Sequence, residues 1–172
     1  MALVTEDGTG KADAEPYVSV ADATTYHTNM GNAAAWAAVG ITAVQEAMLR
    51  RATNYLRSRY YNMWEGSAVI STQRLDWPRS GVPTRDGYGA IASNSVPAEV
   101  KDACAELALK AFSADLMPDS SQTVKREKVG PLEVEYDEFS PSSPAYTSID
   151  AMLAPFLLPG SQPGVSVPLM RA

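Results

Sequence analysis

One stretch limits what this chain can become. Residues 96–119, VPAEVKDACAELALKAFSADLMPD, carry helix signals at both ends and an unbroken apolar stripe between them. Val100, Ala103, Cys104, Leu107, Ala108, Ala111 and Phe112 recur at the spacing of one face of a 3.6-residue period. Pro97 suits the first helical position, where its missing N–H would have no partner, and Glu99 and Asp102 place negative charge near the positive end of the helix dipole. Pro118 stops the helix at Met117. A stripe this rich in alanine lets a second helix approach closely, so the segment predicts a helical bundle.

The remainder supplies that bundle. Ser19 with Asp22 is a capping arrangement opening a short helix that Gly31 ends, with Val20, Ala23, Tyr26, His27 and Met30 on one face. His27 reads as a packed helix residue, since no second histidine or cysteine cluster exists to share a metal. Asn32 is placed to cap a turn anchored by Trp36 and closed by Gly40. Thr42 with Gln45 forms a second capping box, and Val44, Ala47, Met48, Arg51, Ala52, Tyr55 and Leu56 follow one side of the helix it opens. Over residues 62–96 turn residues replace the helical period; Trp64, Trp77 and Tyr88 are expected to pack on the helices, with Arg79 and Arg85 in water.

Past the central helix the period changes to two. Leu132, Val134 and Tyr136 alternate with Glu133, Glu135 and Asp137, and residues 123–129 can run antiparallel to them across Gly130-Pro131. A last helix is expected over residues 148–156. The fold class is therefore mainly α: a small helical bundle with an added β-hairpin and extended N- and C-terminal arms. The expected organisation is a flexible arm over 1–16, a helical domain over 17–158 that includes the long loop 62–96 and the hairpin 123–136, and an extended docking tail over 159–172.

Charge narrows the function. The net charge of −6 argues against a general nucleic-acid binder, which gains affinity by displacing counterions from phosphates. Between residues 50 and 85, however, seven arginines face only Glu65 and Asp76, a local surplus of five positive charges. Arg50, Arg57, Arg59, Arg79 and Arg85 are the candidates to face DNA or a channel. No run of apolar residues is long enough to cross a bilayer, and the first residues lack the basic-then-apolar pattern of a secretory signal. Phosphate-loop, Rossmann, HExxH, CxxC and GxSxG patterns are all missing, so the sequence reads as a non-enzyme without cofactor or metal. The last residues cannot bury Val165, Val167, Leu169 and Met170 locally; together with Arg171 these read as a docking tail.

The ordered set YVSVADATTY, AWAA, EAMLRRATNYLRSRY, LDWPRSGV, VPAEVKDACAELAL and VKREKVGPLEVEY resembles tailed-phage and prophage proteins of head–tail connector (adaptor) type, groups of which carry the label "DnaT-like single-stranded DNA binding". The resemblance spans roughly residues 17–158. It implies a structural adaptor whose copies, typically twelve, form a homo-oligomeric ring below the portal and continue the DNA channel toward the tail. The implied partners are the portal protein, a tail or stopper/nozzle protein and, transiently, double-stranded DNA in the channel, with no membrane. The implied location is the virion neck, and the host cytoplasm during assembly. Under that reading Lys125, Arg126, Lys128, Glu133 and Glu135 of the hairpin lie at a subunit or tail-facing boundary, and the tail meets the portal or a neighbouring subunit. The alternatives are a single-stranded DNA binding protein and a tail-completion protein that binds the tail tube.

Overall fold

Local capping chemistry starts the first helix. In a computed structural model, which describes residues 3–118, 126–129, 132–135 and 146–161, Ser19 Oγ accepts from Asp22 N at 3.1 Å and donates to Asp22 Oδ2 at 2.7 Å, opening α1 (Val20–Asn29). At its end Gly31 takes a φ of +76°, so that Asn32 N reaches His27 O and Gly31 N reaches Thr28 O. This closes the free carbonyls as a glycine C-cap should. The turn leads into α2 (Ala33–Ala38), whose Trp36 is the expected anchor: it is buried, its indole N–H donates to Thr24 Oγ1 at 2.9 Å, and its ring stacks on His27 at 4.9 Å.

The body is built on α3 (Thr42–Arg59) packed against α4 (Ala98–Ser113), with α1 and α5 (Thr147–Leu153) laid on α4. On α4 the stripe holds from Val100 to Ala111, with Ala105 also buried. Two details differ from expectation. The helix begins one residue later, with Pro97 as its N-cap, and it ends at Ser113, not Met117. Phe112 therefore lies at the last turn and stays half exposed.

On α3 the buried face is rotated from the expected one. Gln45, Leu49, Ala52, Thr53, Tyr55 and Leu56 face inward, while Arg51 is exposed and Val44 and Met48 are only partly buried. The polar members are satisfied: Gln45 Nε2 donates to Trp36 O, and Thr53 Oγ1 lies 3.3 Å from Cys104 Sγ. The Thr42–Gln45 capping box does not form; Ile41 is the N-cap, and Gln45 is turned inward instead.

The long loop docks through tryptophan. Trp77 is fully buried between Trp64 and Phe156, edge to face with each at ring separations of 5.8 and 5.9 Å. Phe156 belongs to a 3₁₀ turn, Ala154–Phe156, that continues α5. Burying an aromatic of this size contributes about 1.5–3 kcal/mol, enough to hold a loop that has little regular structure. What it has is a two-residue antiparallel pair, β1 (Ser67–Ala68) with β2 (Arg79–Ser80). Tyr88, expected to pack, is instead 95% exposed.

Residues 3–16, expected as a loose arm, are tied down. Glu6 N donates to Pro16 O and Glu15 N to Val4 O, so the segment doubles back on itself, and Arg74 N reaches Lys11 O. Its centre is the buried Glu6 carboxylate, which accepts from Gly8 N, Gly10 N and Lys11 N, each at 2.9 Å. Ala14 is fully buried.

Of the hairpin expected over residues 123–136, the described residues form an antiparallel ladder of β3 (Arg126–Val129) and β4 (Leu132–Glu135), and the others lie outside the described residues. It pairs with no other strand among the described residues. The fold is thus a small, mainly helical domain with a β-hairpin, and no helix among the described residues is long and apolar enough to cross a membrane.

Candidate functional site

The five candidate arginines do not share one task. Arg50 on α3 is held by Glu15 at 2.9 Å and lies 3.6 Å from Glu46, so its charge clips the N-terminal segment to the helix. Arg79, expected in water, is half-buried: Nε donates to Glu65 O at 2.7 Å, Nη2 to Gly66 O at 2.7 Å and Nη1 to Asp76 O at 3.2 Å. A guanidinium has five N–H donors in a fixed fork, and here three of its nitrogens brace the backbone around β1 and β2. Arg57 and Arg59, at the end of α3, are half-buried with Nε atoms that have no hydrogen-bond partner. Arg85 alone of the five is fully at the surface, on the loop beyond β2.

Asp76 lies in the field of Arg57 and Arg79. Burial pushes the Asp76 carboxyl above the usual aspartate range, and the two guanidinium charges work against that shift. The Trp64 indole edge also favours the carboxylate, although its N–H falls outside hydrogen-bond geometry, and Asp76 Oδ2 has no partner. The Asp76 backbone N–H donates to Tyr17 Oη at 3.1 Å. The LDWPRSG stretch is therefore a polar cluster that ties the loop to the residues before α1, with the Arg79 guanidinium on backbone carbonyls and the Asp76 carboxyl in the field of Arg57 and Arg79.

His27 and Cys104 serve the core. His27 Nε2 lies 3.1 Å from Ala105 O, Nδ1 is buried without a partner, and burial lowers the ring's basicity. Cys104 is fully buried beside Thr53, and burial raises its thiol to about 11. Such a thiol is inert as a nucleophile. Among the described residues no group of three or more His, Cys, Asp or Glu could hold a metal ion.

The surface features are concave and aromatic. A cavity of about 190 Å³ lies between α3 and the residues after α4, lined by Arg51, Asn54, Tyr55, Asp115, Leu116 and Met117. A second hollow along α3 shares Asn54 and adds Arg57 and the exposed Tyr61. In the hairpin the register sets Arg126 opposite Glu135 and Lys128 opposite Glu133. Lys125 and the whole docking-tail set, Val165, Val167, Leu169, Met170 and Arg171, lie outside the described residues.

Sequence reasoning missed Asp76 and the Asp115–Met117 cavity. Asp76 was visible only as one acid among many arginines. Residues 115–117 were read as the continuation of a helix that ends earlier.

A family model matches residues 1–172, its full span in this chain, with the description "Putative DnaT-like ssDNA binding protein". No curated protein and no solved structure matches the chain. On a match of that extent, the chain belongs to the DnaT-like family.

Proposed function

We propose that this chain is a structural assembly protein, a head–tail adaptor whose copies join in a ring below a phage portal, working without catalysis, cofactor or metal in the neck of the virion. The carrying observation is the hairpin: β3 and β4 pair only with each other among the described residues. A two-stranded ladder is marginal by itself in water, and its open edges can accept a strand from another chain. The register sets Arg126 opposite Glu135 and Lys128 opposite Glu133, so the two strands differ in net charge, which suits a head-to-tail contact between identical subunits. The net charge of −6, with Arg50 and Arg79 engaged by protein groups, favours a surface that does not grip phosphates strongly, as a channel wall requires, while Arg51, Arg74 and Arg85 stay exposed.

The test is to reverse Lys125, Arg126 and Lys128 together to glutamate and image the protein with portal by electron microscopy. Loss of rings with the helical fold retained is expected; unchanged rings would remove the hairpin from the interface.

A second reading, single-stranded DNA binding, comes from the family description and from the hollow where Tyr61 adjoins Arg57. An exposed aromatic beside a cation can stack a base and meet its phosphate. That reading requires a salt-sensitive affinity that Tyr61→Ala reduces.

A further inference from the structure

The loop around residues 82–91 holds one side chain out. Ile91 N donates to Val82 O and Thr84 N to Gly89 O, both at 2.8 Å, and Val82 is fully buried, so the stem is rooted in the core. At the tip Gly87 N closes a turn on Thr84 O, Asp86 Oδ1 accepts from Thr84 Oγ1 at 2.6 Å and from Tyr88 N at 3.3 Å, and Gly89 N donates to Thr84 Oγ1 at 3.0 Å. This bracing ends in Tyr88, 95% exposed, with Arg85 beside it at the surface. An aromatic pre-ordered this way binds at low entropic cost, which is why tyrosine and arginine dominate interface hot spots.

The tip carries both signs of charge, Arg85 and an Asp86 held as a carboxylate by its Thr84 and Tyr88 hydrogen bonds. A protein partner with an apolar hollow flanked by both signs of charge fits it, and this chain carries one. The hollow beside α3, open to solvent on one side, measures about 190 Å³, a volume on the scale of an aromatic ring. Tyr55, Leu116 and Met117 supply its apolar lining, and Arg51, Asn54 and Asp115 its polar one.

We infer that Tyr88 of one copy seats in the Tyr55–Leu116–Met117 cavity of a second copy, with Arg85 paired to that copy's Asp115. The inference rests on the ring-assembly reading and names a contact within it. Because knob and cavity are different patches of one chain, the contact is heterologous and repeats around a ring.

The test replaces Tyr88 with the photo-crosslinker p-benzoylphenylalanine in the full chain, mixes isotopically heavy and light copies, and maps crosslinks beside a mass measurement. Expected are heavy–light crosslinks from position 88 to the peptide 111–125. Their yield should fall about fivefold in Asp115→Arg, the scale of one partly buried ion pair, and recover in Arg85→Asp/Asp115→Arg. Assembly without that crosslink, or with crosslinks confined to single copies, overturns this contact and leaves the ring reading standing. A chain that stays monomeric with portal and crosslinks to an added single-stranded oligonucleotide overturns both.

Discussion

Arg50 and Glu15, thirty-five residues apart in sequence, meet at 2.9 Å and fasten the N-terminal segment to α3. The nearby guanidinium holds the Glu15 carboxyl below the usual glutamate range. A depressed carboxyl contributes stability that is present above its unfolded pKa and is lost as pH falls through the folded one. Glu15→Gln should therefore speed amide exchange of residues 4–16 severalfold at neutral pH, and the difference from the parent chain should shrink as pH falls below the usual glutamate range and the parent's own carboxylate is protonated.

Glu6 gives the larger local effect. Its carboxylate satisfies three backbone N–H groups in a buried setting, and hydrogen bonds to a charged acceptor contribute about 1.5–3 kcal/mol each, without simple additivity. Urea unfolding of Glu6→Ala should show a loss of about 3 kcal/mol. Glu6→Gln should lose less, because its carbonyl can still serve Gly8 and Gly10.

Gly66 marks where the loop strands approach most closely. A Cβ there would come within 2.2 Å of Ser80 O, and the residue has a φ of +66°. Gly66→Ala should destabilise the chain by about 1–3 kcal/mol, with quenching or shift of the buried Trp64 and Trp77 fluorescence altered before global unfolding.

His27 sets an acid limit. Its folded pKa is lowered by burial, so the unfolded chain binds the proton more readily and stability falls as pH drops below the unfolded value near 6.5. The Ala105 carbonyl and the Glu106 carboxylate of α4 work against this shift without reversing it. Between about pH 7.5 and pH 5 the thermal midpoint of the parent chain should fall more steeply than that of His27→Gln.

The parts legible in the sequence were those decided by neighbours in the chain. Ser19 and Asp22 cap α1 as read, Gly31 closes it, Trp36 anchors α2, and the alanine-rich stripe of α4 meets α3. What failed was decided by distant partners. Gln45 and Thr53 are buried because Trp36 O, in the preceding helix, and Cys104 Sγ, fifty-one residues on, await them, so a count of apolar residues rotated the face of α3. Arg79 looked like a solvent cation until Glu65 and Gly66 placed their carbonyls around it. The N-terminal segment looked loose because its anchor is an acid, Glu6, binding backbone groups that no hydropathy pattern reveals.

The central proposal is that this chain assembles with its own kind and with a portal, without a salt-sensitive grip on single-stranded DNA. The most direct measurement is its mass by light scattering, alone and with portal protein, beside a parallel sample with a single-stranded oligonucleotide at low and moderate salt. The account predicts a ring-sized mass on portal and an unchanged mass with the oligonucleotide. A monomer that ignores portal and forms a salt-sensitive oligonucleotide complex would contradict it.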